Sequence, residues 1–269
     1  MKYFNLAIVY FLLINISSCA QESRYVAFFR DTDAYELAKA VEKGDLEAVE
    51  KLIEQDINLL NVTNPVTGSN VLVLAMQVEQ FEVFKRLLEL GANPNFINPY
   101  TKHSILIDAI RPFGSQFEWR IEPKYVELLL EYGADPNYAI ENDFTNEKQW
   151  YIMATSPLME ASKLDLNIVK LLVRYGADPY KRLGEKKLTP FGEAVMACKF
   201  DIIDYYIDTL GVDVMQPLMV RSRDSLFVQD YIKKFMAYKK GSEGYEKKQE
   251  LVKKLESRGV DFKNYKYKL

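Results

Sequence analysis

A four-residue phrase recurs three times in this sequence, as Gly91-Ala92-Asn93-Pro94, Gly133-Ala134-Asp135-Pro136 and Gly176-Ala177-Asp178-Pro179. Each copy follows a leucine-rich run in which apolar residues recur at helical spacing. Glycine at the end of such a run supplies a left-handed helix cap, and the proline prevents the helix from continuing. A phrase that returns after tens of residues predicts an array of similar structural units.

Each unit is predicted to consist of two helices. Residues that favour the N-cap open the first helix, because their side chains accept a backbone N–H: Asn70, Ser104, Ser156 and Thr189. At the start of the array, Asp33 and Glu36 predict a capping box. In the second helix, apolar pairs at i and i+4 predict one buried face: Val49/Ile53, Val83/Leu87, Val126/Leu130, Ile168/Leu172 and Ile203/Ile207.

The openings Ser156-Pro157-Leu158 and Thr189-Pro190-Phe191, together with the Gly-Ala-Asp phrase, resemble the ankyrin repeat. The resemblance covers residues 35–269 and implies an all-α, ankyrin-like helix-turn-helix solenoid of about six divergent repeats with protruding loops. Segment 225–269 is interpreted as a degenerate capping repeat, in which Lys254 and Glu256 provide a polar outer face. Because the family binds other proteins, we expect a non-catalytic protein–protein interaction module.

The N-terminus has the features of an export signal. Lys2 precedes an apolar run over 6–14 that is too short to span a bilayer. The sequence Ile16-Ser17-Ser18-Cys19 resembles the lipobox of bacterial lipoproteins, which implies cleavage after residue 18 and acylation of Cys19. We therefore predict a signal peptide over 1–18 and a lipid-anchored tether over 19–34. A plain signal peptide with an incidental cysteine is the alternative.

The lipobox resemblance also implies a location. It predicts a protein of the bacterial cell envelope that is held on a membrane by its lipid and faces the periplasm. Ala20, not aspartate, follows the cysteine, which in proteobacterial lipoproteins favours the outer membrane. The one other cysteine, Cys198, lies in a helical pattern and is predicted to be a small buried apolar residue.

Charge is unevenly distributed along the chain. Residues 231–269 have a balance of +7, whereas residues 20–230 have a balance of −11. A solvated capping helix explains the lysines of the tail, and attraction to an anionic membrane or an acidic partner is the alternative. Nucleic acid is not expected as a partner of an exported, overall acidic chain. We expect a monomer.

The sequence contains no familiar catalytic, cofactor-binding or metal-binding motif. The single histidine, His103, lies in a polar turn and is interpreted as a solvated or locally hydrogen-bonded residue. Acidic residues follow exposed helix faces, so paired-carboxylate catalysis is not expected. We predict that the protein is not an enzyme and needs no cofactor.

The long loop 138–154 is the leading candidate for contact with a partner, because long structured loops are often functional and Trp and Tyr are frequent anchors. Folding back over the neighbouring repeat is the alternative role of its aromatic residues. The candidate contact residues in this and the other loops are Asn64, Phe96, Tyr100, Tyr138, Phe144, Trp150, Tyr151, Tyr180 and Arg182. A second insertion, 111–122, carries Phe113, Phe117 and Trp119, which form either a second patch or a self-packed loop.

Two finer functions remain open. Some bacterial ankyrin-like lipoproteins neutralise secreted toxins that act in the periplasm, and an acidic body suits a basic toxin surface by raising the association rate. An envelope scaffold that holds another envelope protein or the cell wall is the alternative from a different class.

Overall fold

The computed structural model describes residues 23–111, 122–222 and 224–268. These residues form short helices, most of them in pairs, with turns and two-residue strands between them. The chain divides into two compact units, of which the first ends at Ala92 and the second begins at Asn93. Among the described residues, no helix combines the length and the apolar character needed to cross a bilayer.

The first unit contains five helices in its described part. They are α1 (Arg24–Ala27), α2 (Tyr35–Lys43), α3 (Leu46–Gln55), α4 (Val71–Gln77) and α5 (Phe81–Glu89). Helix α2 packs against both α3 and α4, and α3 packs against α5. The first helices of the two pairs, α2 and α4, are therefore neighbours, and so are the second helices, α3 and α5. A 3₁₀ turn over Ile57–Asn61 joins the two pairs. Residues 23–34, within the predicted tether, contribute buried Val26 and Phe29 to this unit.

The predicted capping box at the start of α2 is wrong. Residue Ala34 is the N-cap, and no side chain caps the helix. The chain enters α2 from preceding turns, in which the Tyr35 N–H donates to the Thr32 carbonyl at 3.2 Å. The N-cap is therefore Ala34, one residue later than the predicted box requires, and alanine has no side-chain acceptor.

The second unit repeats the same arrangement. Its helices are α6 (Ile105–Ile110), α7 (Pro123–Glu131), α8 (Pro157–Ser162), α9 (Leu166–Arg174), α10 (Pro190–Met196), α11 (Phe200–Asp204), α12 (Val228–Phe235) and α13 (Glu243–Ser257). The first helices α6, α8, α10 and α12 pack against one another in that order. The second helices α7, α9 and α11 form a neighbouring layer, and α11 continues as a π-helical turn over Tyr205–Thr209.

Two antiparallel hairpins lie between these helices. The first pairs β1 (Phe144–Thr145) with β2 (Tyr151–Ile152), and the second pairs β3 (Met219–Val220) with β4 (Ser225–Leu226). Isolated bridges between Ile97 and Ser104 and between Leu183 and Leu188 close two shorter fingers. The connections between repeats are therefore ordered by backbone pairing.

The predicted helix caps are confirmed. The four N-cap side chains each accept a backbone N–H three residues later; for example, Thr189 Oγ1 accepts from Gly192 N–H at 3.0 Å. Both Gly133 and Gly176 have left-handed φ values, of 86° and 89°. The five predicted apolar pairs of the second helices are all buried. Local hydrogen bonding and i, i+4 packing therefore explain the repeat.

The prediction for Cys198 is wrong in part. Helix α10 ends at Met196, and Cys198 follows it with a left-handed φ of 55°. At this position its N–H donates to the Val195 carbonyl at 3.2 Å, and its thiol donates to the Phe235 carbonyl at 3.5 Å. The thiol is half-buried, not enclosed in the core.

The capping repeat is more tightly bound than a merely solvated helix. Lysine 254 on α13, predicted to give a polar outer face, contacts Asp204 and lies 2.6 Å from Asp208 Oδ2. On α12, the fully buried Asp230 accepts hydrogen bonds from the Tyr265 hydroxyl and the Lys268 N–H, which fixes the C-terminal tail. Lysine 254 therefore pairs with the preceding repeat, while Glu256 is exposed.

Candidate functional site

The predicted loop 138–154 is a β-hairpin. In the β1–β2 ladder, Phe144 pairs with Ile152 and Thr145 with Tyr151. A further bridge between Ile140 and Thr155 extends the pairing toward α8, with N···O distances of 2.9 and 3.1 Å. We call residues 140–155 the finger hairpin. Because backbone pairing holds both of its ends, its side chains project from a fixed base.

The finger hairpin contacts the preceding finger as well as solvent. The Tyr138 hydroxyl donates to the Lys102 carbonyl at 2.6 Å, and Asn146 Nδ2 donates to the Tyr100 carbonyl at 2.9 Å. The Tyr100 and Trp150 rings meet edge to face, with centroids 6.4 Å apart. Lysine 148 Nζ lies 4.1 Å from the centroid of the Tyr100 ring. The candidate residues Tyr100, Tyr138 and Trp150 are thus brought together.

The second strand of the finger hairpin and the residues beside it carry three exposed, largely apolar side chains. The side chains of Trp150, Tyr151 and Met153 are 40%, 64% and 59% exposed, while Ile152 between them is buried. The Tyr151 hydroxyl donates to Asp143 Oδ2 at 2.6 Å. The Ala154 N–H and this hydroxyl lower the pKa of the Asp143 carboxyl, which keeps the acceptor charged. We call Trp150, Tyr151 and Met153 the hairpin surface.

Three other candidate residues are less available. Asparagine 64 is 2% exposed, and its amide and carbonyl groups are hydrogen-bonded within its own turn, to Thr67 and Ser69. Its side chain therefore holds its own turn and offers little surface to a partner. Phe96 and Phe144 are half-buried between exposed neighbours.

The residue after each Gly-Ala-Asn/Asp-Pro phrase connects successive repeats, a role that the sequence reading missed. The Asn137 Nδ2 donates to the Gly176 carbonyl at 2.8 Å, and its Oδ1 accepts from the Asp178 N–H at 2.8 Å. One repeat earlier, Asn95 makes the same two bonds to Gly133 and Asp135. The recurrence of Asn two residues after the Asn or Asp of the phrase was the available signal.

In the third copy Tyr180 takes this place. Its hydroxyl donates to the Leu210 carbonyl at 2.8 Å, while more than half of its side chain remains exposed. Arginine 182 donates to the Lys187 and Pro217 carbonyls at 3.1 and 3.0 Å. Tyr180 and Arg182 line an open cleft of about 320 Å³ with Phe191. These two candidates therefore hold loops together at the edge of a cleft.

A second cavity, of about 230 Å³, lies beneath the finger hairpin and was not predicted. Residues 151–155 of the hairpin line it together with residues from the first-helix layer: His103, Arg111, Glu160, Lys163 and Glu193. The cavity thus lies beside the ends of α6, against α8 and against α10. These helices are far apart in sequence, so the sequence alone does not indicate that they form one cavity.

Most of the charged groups in this cavity are paired. Glu160 accepts from Lys163 Nζ at 2.8 Å and from the Thr155 hydroxyl at 2.7 Å. Burial alone raises the pKa of Glu160, but Lys163 and Thr155 outweigh it and lower that pKa. The His103 Nδ1 lies 2.9 Å from Asp108 Oδ1, so the local hydrogen bond predicted for His103 is confirmed. The histidine is nevertheless buried, not solvated.

Glu193 differs from these neighbours. It is 7% exposed, and its carboxylate has no hydrogen bond or ion pair with any other described residue, although its backbone is bonded to Thr189 and Ala197. Burial raises the pKa of its carboxyl, and attraction to Lys163 opposes this only in part. The carboxylate oxygens are not fully enclosed, and Glu193 lines the cavity, so a complementary group that enters the cavity could pair with them.

Two predicted features lie outside the described residues. The lipidation site Cys19 and the signal peptide precede residue 23, and Phe113, Phe117 and Trp119 fall within 112–121. Across the ranges that are described, no group of three or more His, Cys, Asp or Glu side chains is placed to hold a metal ion.

Comparison with known families identifies the repeat. Residues 37–140 match the family model described as ankyrin repeats, in 3 copies. Comparison with curated proteins gives no match. Ankyrin repeats are in general non-catalytic modules that bind other proteins. The chain therefore has the predicted all-α, ankyrin-like fold, and its residues 37–140 carry ankyrin repeats.

Proposed function

We propose that this chain is a non-catalytic binding protein that uses the hairpin surface to hold another protein. The observation that carries the proposal is the exposure of Trp150, Tyr151 and Met153 on a hairpin fixed at both ends. Aromatic side chains on a rigid base bind with a small loss of conformational entropy, which is why Trp and Tyr dominate the energetics of many interfaces.

The test is a pull-down of the full chain from envelope extract, with Trp150→Ala and Tyr151→Ala combined in one variant. The matched control combines Tyr132→Ala and Tyr175→Ala, which remove two similarly exposed tyrosines at the ends of α7 and α9. We expect one stoichiometric partner that the control retains and the hairpin variant loses. Equal retention by both variants, or no partner for the wild-type chain, would refute the proposal.

We further propose that Cys19 is acylated and anchors the protein to the envelope of a bacterium, facing the periplasm from the outer membrane. Support comes from the Ile16-Ser17-Ser18-Cys19 sequence and the apolar run before it. Metabolic labelling with an alkyne fatty acid should label the wild-type protein and not Cys19→Ala, and only the wild type should sediment with outer membranes. An unlabelled, soluble wild-type protein would contradict this proposal.

A second, finer candidate is an immunity protein that neutralises a secreted toxin acting in the periplasm. The balance of −11 over residues 20–230 favours it, because an acidic surface attracts a basic toxin. A deletion strain should then be killed by sister cells that secrete the toxin. Survival of that strain, combined with altered envelope integrity, would instead favour the scaffold.

A further inference from the structure

We propose that the cavity beneath the finger hairpin receives a cationic side chain of the partner protein, a lysine or an arginine, which pairs with Glu193. The inference rests on the proposed protein-binding function and names the chemistry of one contact. The cavity extends the hairpin surface, because Tyr151 and Met153 belong to both.

The pattern of charge in the cavity selects a cation. Lysine 163 is held by Glu160, and Arg111 Nη1 lies 3.4 Å from His103 Nδ1, which in turn contacts Asp108. After these contacts are made, Glu193 is the lining carboxylate that has no hydrogen bond or ion pair within the described part of the chain. A charge-assisted hydrogen bond from an incoming ammonium or guanidinium group would compensate its burial.

Titratable side chains from two neighbouring helices face Glu193. From α8, Glu160 and Lys163 face it, and from α12, Tyr231 does so. The attraction to Lys163 does not offset burial, and Glu160 repels a second negative charge. A cation that enters beside Glu193 would be attracted by both Glu193 and Glu160, whereas Lys163 and Arg111 already have the contacts described above.

The shape and rim of the cavity suit a long, slender side chain. Its volume of about 230 Å³ is small for a folded element of a partner but adequate for one side chain. At the rim, the Tyr151 ring and the Met153 side chain are exposed. Lysine and arginine lay their methylene stems along apolar surface while the charged group reaches a polar site. The acidic balance of residues 20–230 would attract such a basic partner.

The direct test needs no identified partner. The purified full chain is titrated at pH 8 with N-acetyl-arginine amide, N-acetyl-lysine amide and the neutral N-acetyl-glutamine amide, and heat is measured. We expect at least one cationic amide to bind with a dissociation constant on the order of 1 mM, and the neutral amide to bind at least about tenfold more weakly. The stronger of the two cationic amides indicates which side chain the partner supplies.

Two variants decide whether Glu193 is responsible. The variant Glu193→Gln should weaken the cationic amide at least about tenfold, while Glu127→Gln, at an exposed site on α7, should bind like the wild type. Absence of binding by the wild type, equal affinity for the neutral amide, or unchanged binding by Glu193→Gln would each overturn the proposal.

The pull-down separates failure of this inference from failure of the proposed function. If the wild-type chain captures its partner and Glu193→Gln captures it equally well, the cationic contact is refuted while protein binding stands. If the wild type captures no partner, the proposed function fails, and the amide titration still decides whether the cavity binds cations.

Discussion

The hydrogen bonds between successive repeats should contribute measurably to stability, and Asn137→Ala tests this. The substitution removes both bonds that join Asn137 to Gly176 and Asp178, each 2.8 Å long. A typical intramolecular hydrogen bond contributes about 0.5–1.5 kcal/mol. Both of these bonds are exposed, so water can solvate the groups that lose their partner. We therefore expect a loss of about 1–2 kcal/mol in the free energy of unfolding.

Thermal and urea unfolding, followed by circular dichroism, measure this loss. The midpoint should fall by about 2–6 °C, and the transition should broaden because the substitution weakens an interface between repeats and not a repeat itself. Hydrogen exchange supplies a local readout, since the Asp178 N–H loses its acceptor and should exchange faster.

The matched control is Asn142→Ala. This residue is exposed in the finger hairpin, five residues after Asn137, and its side chain makes no hydrogen bond to another described residue. It should change the free energy of unfolding by less than about 0.5 kcal/mol. Equal midpoints for the two variants, with unchanged exchange of the Asp178 N–H, would show that the inter-repeat bonds do not stabilise the array.

Three further substitutions test other parts of the structure. The variant Tyr180→Phe removes the hydroxyl that donates to the Leu210 carbonyl and should lower the free energy of unfolding by about 0.5–1.5 kcal/mol in urea; an unchanged midpoint contradicts this. The variant Glu193→Gln should raise the thermal midpoint at pH 7.5, because burial raises the pKa of this carboxyl and the charged form therefore destabilises the fold above that pKa. The gain should shrink as the pH falls through the ordinary glutamate pKa of about 4.3, below which the carboxyl becomes protonated in both states, and a gain independent of pH would exclude this cause. The variant Lys254→Met should cost about 1 kcal/mol at low salt and less in 1 M NaCl, whereas Lys253→Met, at an exposed position, should be neutral; similar losses for both would contradict the ion-pair interpretation.

Much of the fold could be predicted because it depends on short-range physics. The N-cap at Thr189 requires a backbone N–H only three residues away, and the cap at Gly133 requires one left-handed φ. The spacing of Val126 and Leu130 places both on one helix face. In each case the partners lie within a single turn, so a single sequence contains the information.

The candidate site was less predictable because its contacts join distant residues. Asn137 is 39 residues from its acceptor at Gly176, and nothing near Asn137 in the sequence indicates the partner. The cavity of Glu193 is formed by three first helices and a hairpin, so the isolation of this carboxylate depends on how Lys163 and Thr155 are already engaged with Glu160. Aromatic content selected loop 138–154 as a candidate, but it could not distinguish Tyr138, which contacts the previous finger, from the exposed Tyr151.

The replacement of Asn by Tyr180 shows how stability and binding are divided along the fingers of the second unit. An Asn at this place makes two bonds to the next repeat, whereas Tyr180 makes one, to the Leu210 carbonyl, and leaves the face of its ring open beside the cleft of about 320 Å³. The two Asn positions join successive repeats on either side of the finger hairpin, and Asn146 bonds the hairpin itself to the Tyr100 carbonyl, so the hairpin surface is ordered before a partner arrives. Order of this kind lowers the entropic cost of association. The equivalent position thus joins neighbouring repeats through two hydrogen bonds in two copies. In the third copy it makes one hydrogen bond and exposes an aromatic ring.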